Sequence, residues 1–356
     1  MVLKDQNLMF VLRATQQAGT ENVVLQLCEV FKPLVNKIVV VAADGFDKEK
    51  LNDMGIKYYA IPDIENKSPK TILSIIKTIK RAAKEENITV IHTQHRMAAF
   101  YVRFTGLYKR CLFLNTSHNT FFNRKALTRY AFKHAKLIAC GEMVKKNLVE
   151  EFGLSDVTVI HNAVKPFDEE IVIDEDLRKA RQDDKYLVGN VGRLSEQKGM
   201  EYFIKAVPLV TASHPDTQFF IIGSGEDEGK LRNMAKDLPV TFLGYRTDVR
   251  NIMSQLDLVV LSSLWEGLPL TPIEAFSVGK TIVATAVDGT VEIVKDGDNG
   301  LLTQARDVEG LAGKINWMID HPGEQKQMEK QALDTYNEEF SFDTLAKTYI
   351  DYYRSL

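Results

Sequence analysis

The chain has 356 residues, 45% of them hydrophobic and 26% charged, with a formal net charge of -3; that length exceeds what one hydrophobic core usually supports and points to two domains. An ordinary composition without low-complexity tracts or short-period repeats excludes a disordered or fibrous chain. Cys28, Cys111 and Cys140 are odd in number, far apart and outside any C-x-x-C spacing, which argues against a disulfide framework or zinc site and fits a reducing cytoplasm.

The first apolar run, "LMFVL" (8–12), ends at Arg13 and is too brief for a signal-peptide core or a membrane span, so it reads as a β-strand. A helix over 20–31 follows, with Thr20 as its cap, then strands "KIVVVAA" and "KYYAI", a helix over 69–86, and strands "ITVIHT" and "CLFLNTS". Near "HNAVKPFDEEIVIDEDL" Pro166 interrupts the pattern and a second series begins at Tyr186: "YLVGNVG", "TQFFIIG", "VTFLG", "LDLVVLS" and "KTIVAT", each followed by a helix-forming stretch. Strands alternating with helices mean βαβ units and parallel sheets. The expected architecture is α/β, two doubly wound sheets in domains 1–165 and 166–339. A last amphipathic helix over 340–356, with Leu345, Tyr349, Tyr352 and Tyr353 at helical spacing, is expected to pack back on the first domain.

Charge is divided unevenly. Residues 1–165 hold 25 Lys and Arg against 15 Asp and Glu, and residues 166–356 hold 20 against 33. Between 88 and 141 there is no acidic residue, while Arg96, Arg103, Lys109, Arg110, Arg124, Lys125, Arg129, Lys133 and Lys136 all fall there. Two readings stand: a solvated basic face, or a surface for anionic lipid or another polyanion.

In open parallel sheets, ligands sit beyond the carboxyl ends of strands, so the loops there carry the functional candidates. Gly19 permits close backbone approach at a helix N-terminus that suits a phosphate, or is simply a turn glycine. In "VGNVGRLSEQKG", Gly192, Arg193 and Lys198 follow a strand; the two cations suit a diphosphate clamp, or are incidental surface charge. Gly223 and Gly225 form a weak G-x-G after "FFII". "SSLWEGLPLTPIEAF" holds Glu266 and Gly267 in a loop that prolines keep out of helix, with the N–H groups of Leu268 and Leu270 free to donate. Thr271-Pro272-Ile273-Glu274 reads as a capping box with proline at the first helical position, a structural role for Glu274. His92, His95, His118 and His161 fall at or beyond strand ends, each a core histidine by default, with no metal-ligand spacing among them. Asp174-Glu175-Asp176 and Asp296-Gly297-Asp298 imitate a metal-binding D-x-D but read as a helix start and a turn.

Together, "QAGTENVV", "LNTSHN", "VGRLSEQKG", "IIGSGEDEGKL", "VTFLGYRTDV" and "EGLPLTPIEA" resemble, in order, the motifs of retaining glycosyltransferases of family 4, the last being the E-x7-E motif; Ala18 departs from a second glycine that many relatives carry. The resemblance implies the GT-B fold, two facing Rossmann-like domains with an interdomain cleft, the first binding acceptor and the second a nucleotide-sugar donor. It implies that Arg193 and Lys198 hold the donor diphosphate, Glu274 the ribose hydroxyls and Glu266 the hydroxyls of the transferred sugar, with N–H groups after Glu266 and at Gly19 completing the cradle. The base would lie near Arg246, and His118 would face the sugar from the acceptor side. No cofactor and no metal are implied, nor a nucleic-acid partner. The expected reaction moves a hexose-type sugar, with a UDP-sugar as the commoner donor among relatives, to a saccharide or lipid-linked acceptor in polysaccharide, teichoic acid or glycolipid synthesis, in the cytoplasm or peripherally on the inner face of a membrane through the basic first domain. Three rival readings are a nucleotide-sugar epimerase of the same fold, a hydrolase using Glu266 and Glu274 as its pair, and a non-catalytic partner subunit. The E-x7-E context argues against the first, the cations Arg193 and Lys198 against the second, and the intact set of all four residues against the third.

Overall fold

A computed structural model describes residues 1–13, 19–43 and 46–356. The chain divides into two units, Met1–Asn162 with Leu345–Leu356, and Ala163–Thr344. Ala18 lies outside the described residues.

Unit 1 alternates strands and helices: β1 (Asn7–Leu12), α1 (Gly19–Phe31), β2 (Lys37–Ala43), α2 (Lys48–Asp53), β3 (Lys57–Ile61), α3 (Pro69–Glu85) and β4 (Val90–Thr93). It continues with α4 (Arg96–Thr105), β5 (Leu112–Ser117), α5 (Lys125–Phe132), β6 (Lys136–Ala139), α6 (Glu142–Phe152) and β7 (Val157–Val159). Unit 2 contains α7 (Glu175–Gln182), β8 (Tyr186–Val191), α8 (Met200–Thr211), β9 (Thr217–Ile222), α9 (Glu228–Met234), β10 (Val240–Gly244) and α10 (Val249–Gln255). After these come β11 (Leu258–Leu261), α11 (Leu270–Ser277), β12 (Ile282–Thr285), α12 (Thr290–Ile293), β13 (Gly300–Thr303), α13 (Val308–Asp320) and α14 (Pro322–Thr335). The last helix, α15 (Phe342–Ser355), starts in unit 2 and ends in unit 1.

Strand order is β3-β2-β1-β4-β5-β6-β7 in one sheet and β10-β9-β8-β11-β12-β13 in the other, and every pairing is parallel. Parallel strands covered on both faces lose contact with water on both, which is why β4, β11 and β12 are buried throughout and why β11 reads as an unbroken apolar run. In both sheets the order reverses once, between β1 and β4 and between β8 and β11. α3 shows how locally the helices are written: Ser68 accepts from the Thr71 N–H, Pro69 opens the first turn, and Ile75, Ile79, Ala82 and Ala83 form the buried stripe. α1 begins at Gly19, one residue before the expected start, so Thr20 stands in its first turn and not at its cap. β13, only four residues long and set behind the Asp296-Gly297-Asp298 turn, carries too short a pattern to be legible as a strand. Among the described residues no helix is long and apolar enough to cross a membrane.

α15 completes the core of unit 1. Tyr349 and Tyr353 are buried, and the Tyr353 ring lies 4.4 Å from that of Phe31. Their hydroxyls reach a buried polar chain: Tyr353 to His92 Nδ1 at 2.7 Å, His92 Nε2 to Thr116 Oγ1 at 2.7 Å, and Thr116 Oγ1 to Tyr349 at 3.3 Å. Burial first, then the nearby His118, lowers the His92 imidazole to about 3, so the native ring is neutral. The unfolded chain takes up a proton below its ordinary value of about 6.5 while the folded one does not, so stability is full above that pH and declines as pH falls toward 3. We predict that unit 1 is roughly 2 kcal/mol less stable at pH 5 than at pH 7 from this group alone, measured by urea unfolding, and that His92→Gln flattens that part of the profile.

Candidate active site

The reversal of strand order opens a crevice beyond the strand ends, the usual place for a ligand. In unit 2, β8 runs there into Gly192 and Arg193, and β11 into the loop that carries Glu266. Backbones of neighbouring loops touch at this edge. Gly223, just after β9 and at φ 143°, lies so close that a Cβ would stand 1.9 Å from the Gly192 carbonyl oxygen, and a Cβ on Gly289 would stand 1.9 Å from that of Gly267. Glycine is therefore required at both places for sterics alone. Gly225 packs in the same manner against Leu194.

The centre of this edge is an ion pair. Lys198 ends a 3-10 turn, Glu196–Lys198, and its Nζ lies 2.6 Å from Glu266 Oε1, the two side chains being only 17% and 6% exposed. Ser263 Oγ donates to the same carboxylate oxygen at 2.6 Å, Gln197 Nε2 approaches the other at 3.5 Å, and the Glu266 N–H donates to Asp288 Oδ2 at 2.8 Å. Gln197 also donates to the Trp265 carbonyl, and Ser262 Oγ to that of Lys198, at 3.0 Å each. The loops after β8, β11 and β12 are thereby tied at one point. Ser263 and Asp288 were not among the sequence candidates; the one available signal was their position directly beyond strands.

α11 starts one residue before Thr271. Pro269, at φ -69° and ψ 136°, occupies the cap position and supplies no side-chain acceptor, so the expected capping box does not form: proline's fixed φ sets the helix going at Leu270. Thr271 and Pro272 lie inside the first turn, the N–H groups of Leu270 and Thr271 receive no side-chain cap, and Glu274 is half-buried and released from a capping role. Burial pushes its carboxyl up, and Arg250 and Lys198 pull it back down.

Arg193 comes from the same loop as Lys198 but stands out in solvent, 72% exposed, with Nη2 3.0 Å from Glu226. Arg246 is not gathered with them. Its guanidinium grips both Asp248 oxygens at 2.7 Å and Asp174 at 2.8 Å, and it holds the Asp248 carboxyl down at about 2. Asp174 also caps α7, accepting from Asp176 and Leu177, and Asp296 accepts from the Leu302 N–H; both D-x-D lookalikes thus have backbone duties. In unit 1, His118 follows β5, with Nε2 2.8 Å from Gln94 Oε1. Burial, partly offset by a hydrogen bond to Asn162, lowers its imidazole to about 4, so it is uncharged at neutral pH.

Residues 18–166 match the family model described as Glycosyltransferase Family 4, and residues 172–335 the model described as Glycosyl transferases group 1. An uncharacterized glycosyltransferase of Methanocaldococcus jannaschii is 27% identical over 237 residues, 63% of this chain and 60% of that protein. One from Haemophilus influenzae is 24% identical over 327 residues, 90% of this chain and 92% of its own length. Among solved structures, HepE of Anabaena in complex with UDP superposes with a TM-score of 0.83 at 22% identity, covering 99% of this chain and 100% of HepE; HepE has also been solved with UDP-glucose.

Removing either member of a nearly buried ion pair leaves the other charge uncompensated, at a cost of about 3 to 5 kcal/mol. We predict that Lys198→Ala and Glu266→Ala each destabilise unit 2 by roughly 3 kcal/mol, and that the double variant loses less than the sum of the two in urea denaturation.

Proposed function

Because the chain belongs to the glycosyltransferases of the GT-B fold, we propose that it moves a hexose-type sugar from a UDP-sugar to a saccharide or lipid-linked acceptor, with retention at the anomeric carbon and without a metal ion. The observation that carries this reading is the Lys198–Glu266 pair at the reversal point of the unit 2 sheet. UDP and UDP-glucose in the complexes of HepE support uridine as the base.

In this reading the donor diphosphate takes over Lys198 and Arg193 from Glu266 and Glu226. The uncapped N–H groups at the start of α11, with that of Leu268, complete the cradle, and the glycines at 192, 223, 225 and 267 let the loops approach it. Glu266, relieved of its cation, accepts from hydroxyls of the transferred sugar, and Glu274 from those of the ribose. The base lies toward Arg246, whose grip on Asp174 and Asp248 stiffens the segment after β10. As the bond from the anomeric carbon to the diphosphate oxygen breaks, negative charge collects on that oxygen and is met by fixed cations and N–H dipoles. The acceptor hydroxyl attacks from the same face, and its proton passes to the departing phosphoryl oxygen. His118, uncharged and held by Gln94, bounds the sugar on the acceptor side without serving as a cation.

A ligand at 100 times its dissociation constant stabilises the folded protein by about 2.7 kcal/mol. UDP is expected to give such a thermal shift with wild type and none with Lys198→Ala at the same concentration; a panel in which no nucleotide diphosphate shifts a folded wild-type sample refutes the reading.

Attachment to a membrane surface is part of the proposal. Phe104, Phe122 and Tyr130 are 59%, 73% and 39% exposed, Phe100 stacks on Phe104 at 6.3 Å and meets Tyr130 at a tilt at 5.5 Å, and all four belong to the acid-free, cation-rich stretch 88–141. Exposed aromatics among Lys and Arg suit an anionic lipid interface. Vesicles rich in anionic lipid should sediment the protein at low salt, and Phe104→Ser with Phe122→Ser should release it; protein left in the supernatant would remove the membrane from the account.

A further inference from the structure

Unit 1 has its own reversal of strand order, between β1 and β4, and beyond it lies a cavity of about 240 Å³. Among the described residues its walls are Arg13 and Thr20, the turn from β4 into α4, and the end of β5 with the loop beyond it, and none of these lining residues is a carboxylate. Two of them have capacity that the protein itself does not use. Gln94 is 3% exposed; its Oε1 is taken by His118 at 2.8 Å, and its Nε2 is buried with no hydrogen-bond partner among the described residues. A buried amide donor with no acceptor costs about 1 to 3 kcal/mol, so in a native fold it points to a missing partner.

Arg96 is the second. It is half-buried, lies 4.5 Å above the Phe121 ring, and bonds through Nη1 alone, at 3.2 to 3.4 Å, to Asn123 and the Thr128 hydroxyl. Among the described residues no carboxylate pairs with it, whereas Arg13 on the same cavity is matched by Asp63 at 3.1 Å. A partly desolvated guanidinium with an open edge, with no directly paired carboxylate and only the longer-range pull of Glu65, is a site for an anion, and the fork suits phosphoryl oxygens best. His95 and His118, which also line the cavity, are both lowered to about 4, chiefly by burial, so they add no charge at neutral pH and leave Arg96 as the cation that meets the ligand.

We propose that this cavity binds a phosphoryl group, Arg96 supplying the charge and the Gln94 carboxamide a second donor while its oxygen keeps the His118 proton on Nε2. That the phosphoryl group belongs to the sugar acceptor rests on the transfer reading above; the anion site itself does not.

The test uses full-length protein carrying Lys198→Ala, so that the diphosphate site of unit 2 is silent. Calorimetric titration with glucose 1-phosphate, a soluble source, and with dihexanoyl phosphatidic acid below its micelle concentration, a lipid source, is compared with glucose. Binding of either phosphate probe but not of glucose, weakened tenfold or more by Arg96→Gln and by Gln94→Leu and less by Arg96→Lys, supports the site, and the probe that binds identifies the source. Failure of both probes, or unchanged binding in the variants, overturns it. UDP binding by the same two variants with Lys198 intact shows that they fold. Should either fail to fold, the His118 imidazole resonances of the Lys198→Ala protein decide: a shift with a phosphate probe and none with glucose supports the site, and no shift overturns it. Loss of UDP binding in wild type would sink the transfer reading while leaving this result standing.

Discussion

An ammonium and a carboxylate facing one another where water scarcely reaches govern the carboxyl edge of unit 2. Taking Lys198 and Glu266 out of solvent costs several kcal/mol per ion, and the attraction between them offsets this only because further donors and acceptors converge on Glu266. Ser263, Gln197 and Asp288 provide these from three loops that are far apart in sequence. The pair therefore fixes loop positions, and the glycine contacts at 223 and 289 follow from the same closeness. The arrangement is also primed for exchange, since an incoming diphosphate offers Lys198 a stronger counter-ion than a single carboxylate and frees Glu266 to accept hydroxyl protons.

The two sheets repeat one plan with different electrostatic solutions. At the reversal point of unit 2 the charges are matched internally, Lys198 with Glu266 and Arg193 with Glu226. At that of unit 1 the matching is incomplete: Arg13 pairs with Asp63, while Arg96 and the Gln94 amide are left with open valences in a cavity whose histidines are neutral. Matched charges keep a loop edge ordered without ligand, whereas unmatched ones leave the free state less stable and raise the gain on binding.

Much of the fold was legible because parallel strands buried on both faces leave continuous apolar runs, as "KIVVVAA" and "TQFFII" do. β13 was not, because behind its turn it offers only Leu301 and Leu302 as an apolar run. The start of α11 was misjudged by two residues, since Thr271 and Pro272 present a good capping pattern while Pro269 sets the actual cap. At the site, Lys198 and Glu266 could be found because loops beyond strand ends are where ligands bind. Asp288 could not, because its bond to Glu266 depends on β12 lying beside β11, a fact of pairing. Arg246 shows the converse: its charge was visible, but its commitment to Asp174, 72 residues away, was not. Gln94 carries no sequence signal at all.

α15 has a consequence for how the molecule is made. The residues that close the core of unit 1, Tyr349 and Tyr353 over His92, lie beyond the whole of unit 2, 163–344. A ribosome working from the amino end releases unit 2 as a contiguous segment able to fold during synthesis. The sheet of unit 1 must wait with its histidine uncovered until α15 emerges, so the unit begun before unit 2 is also completed after it.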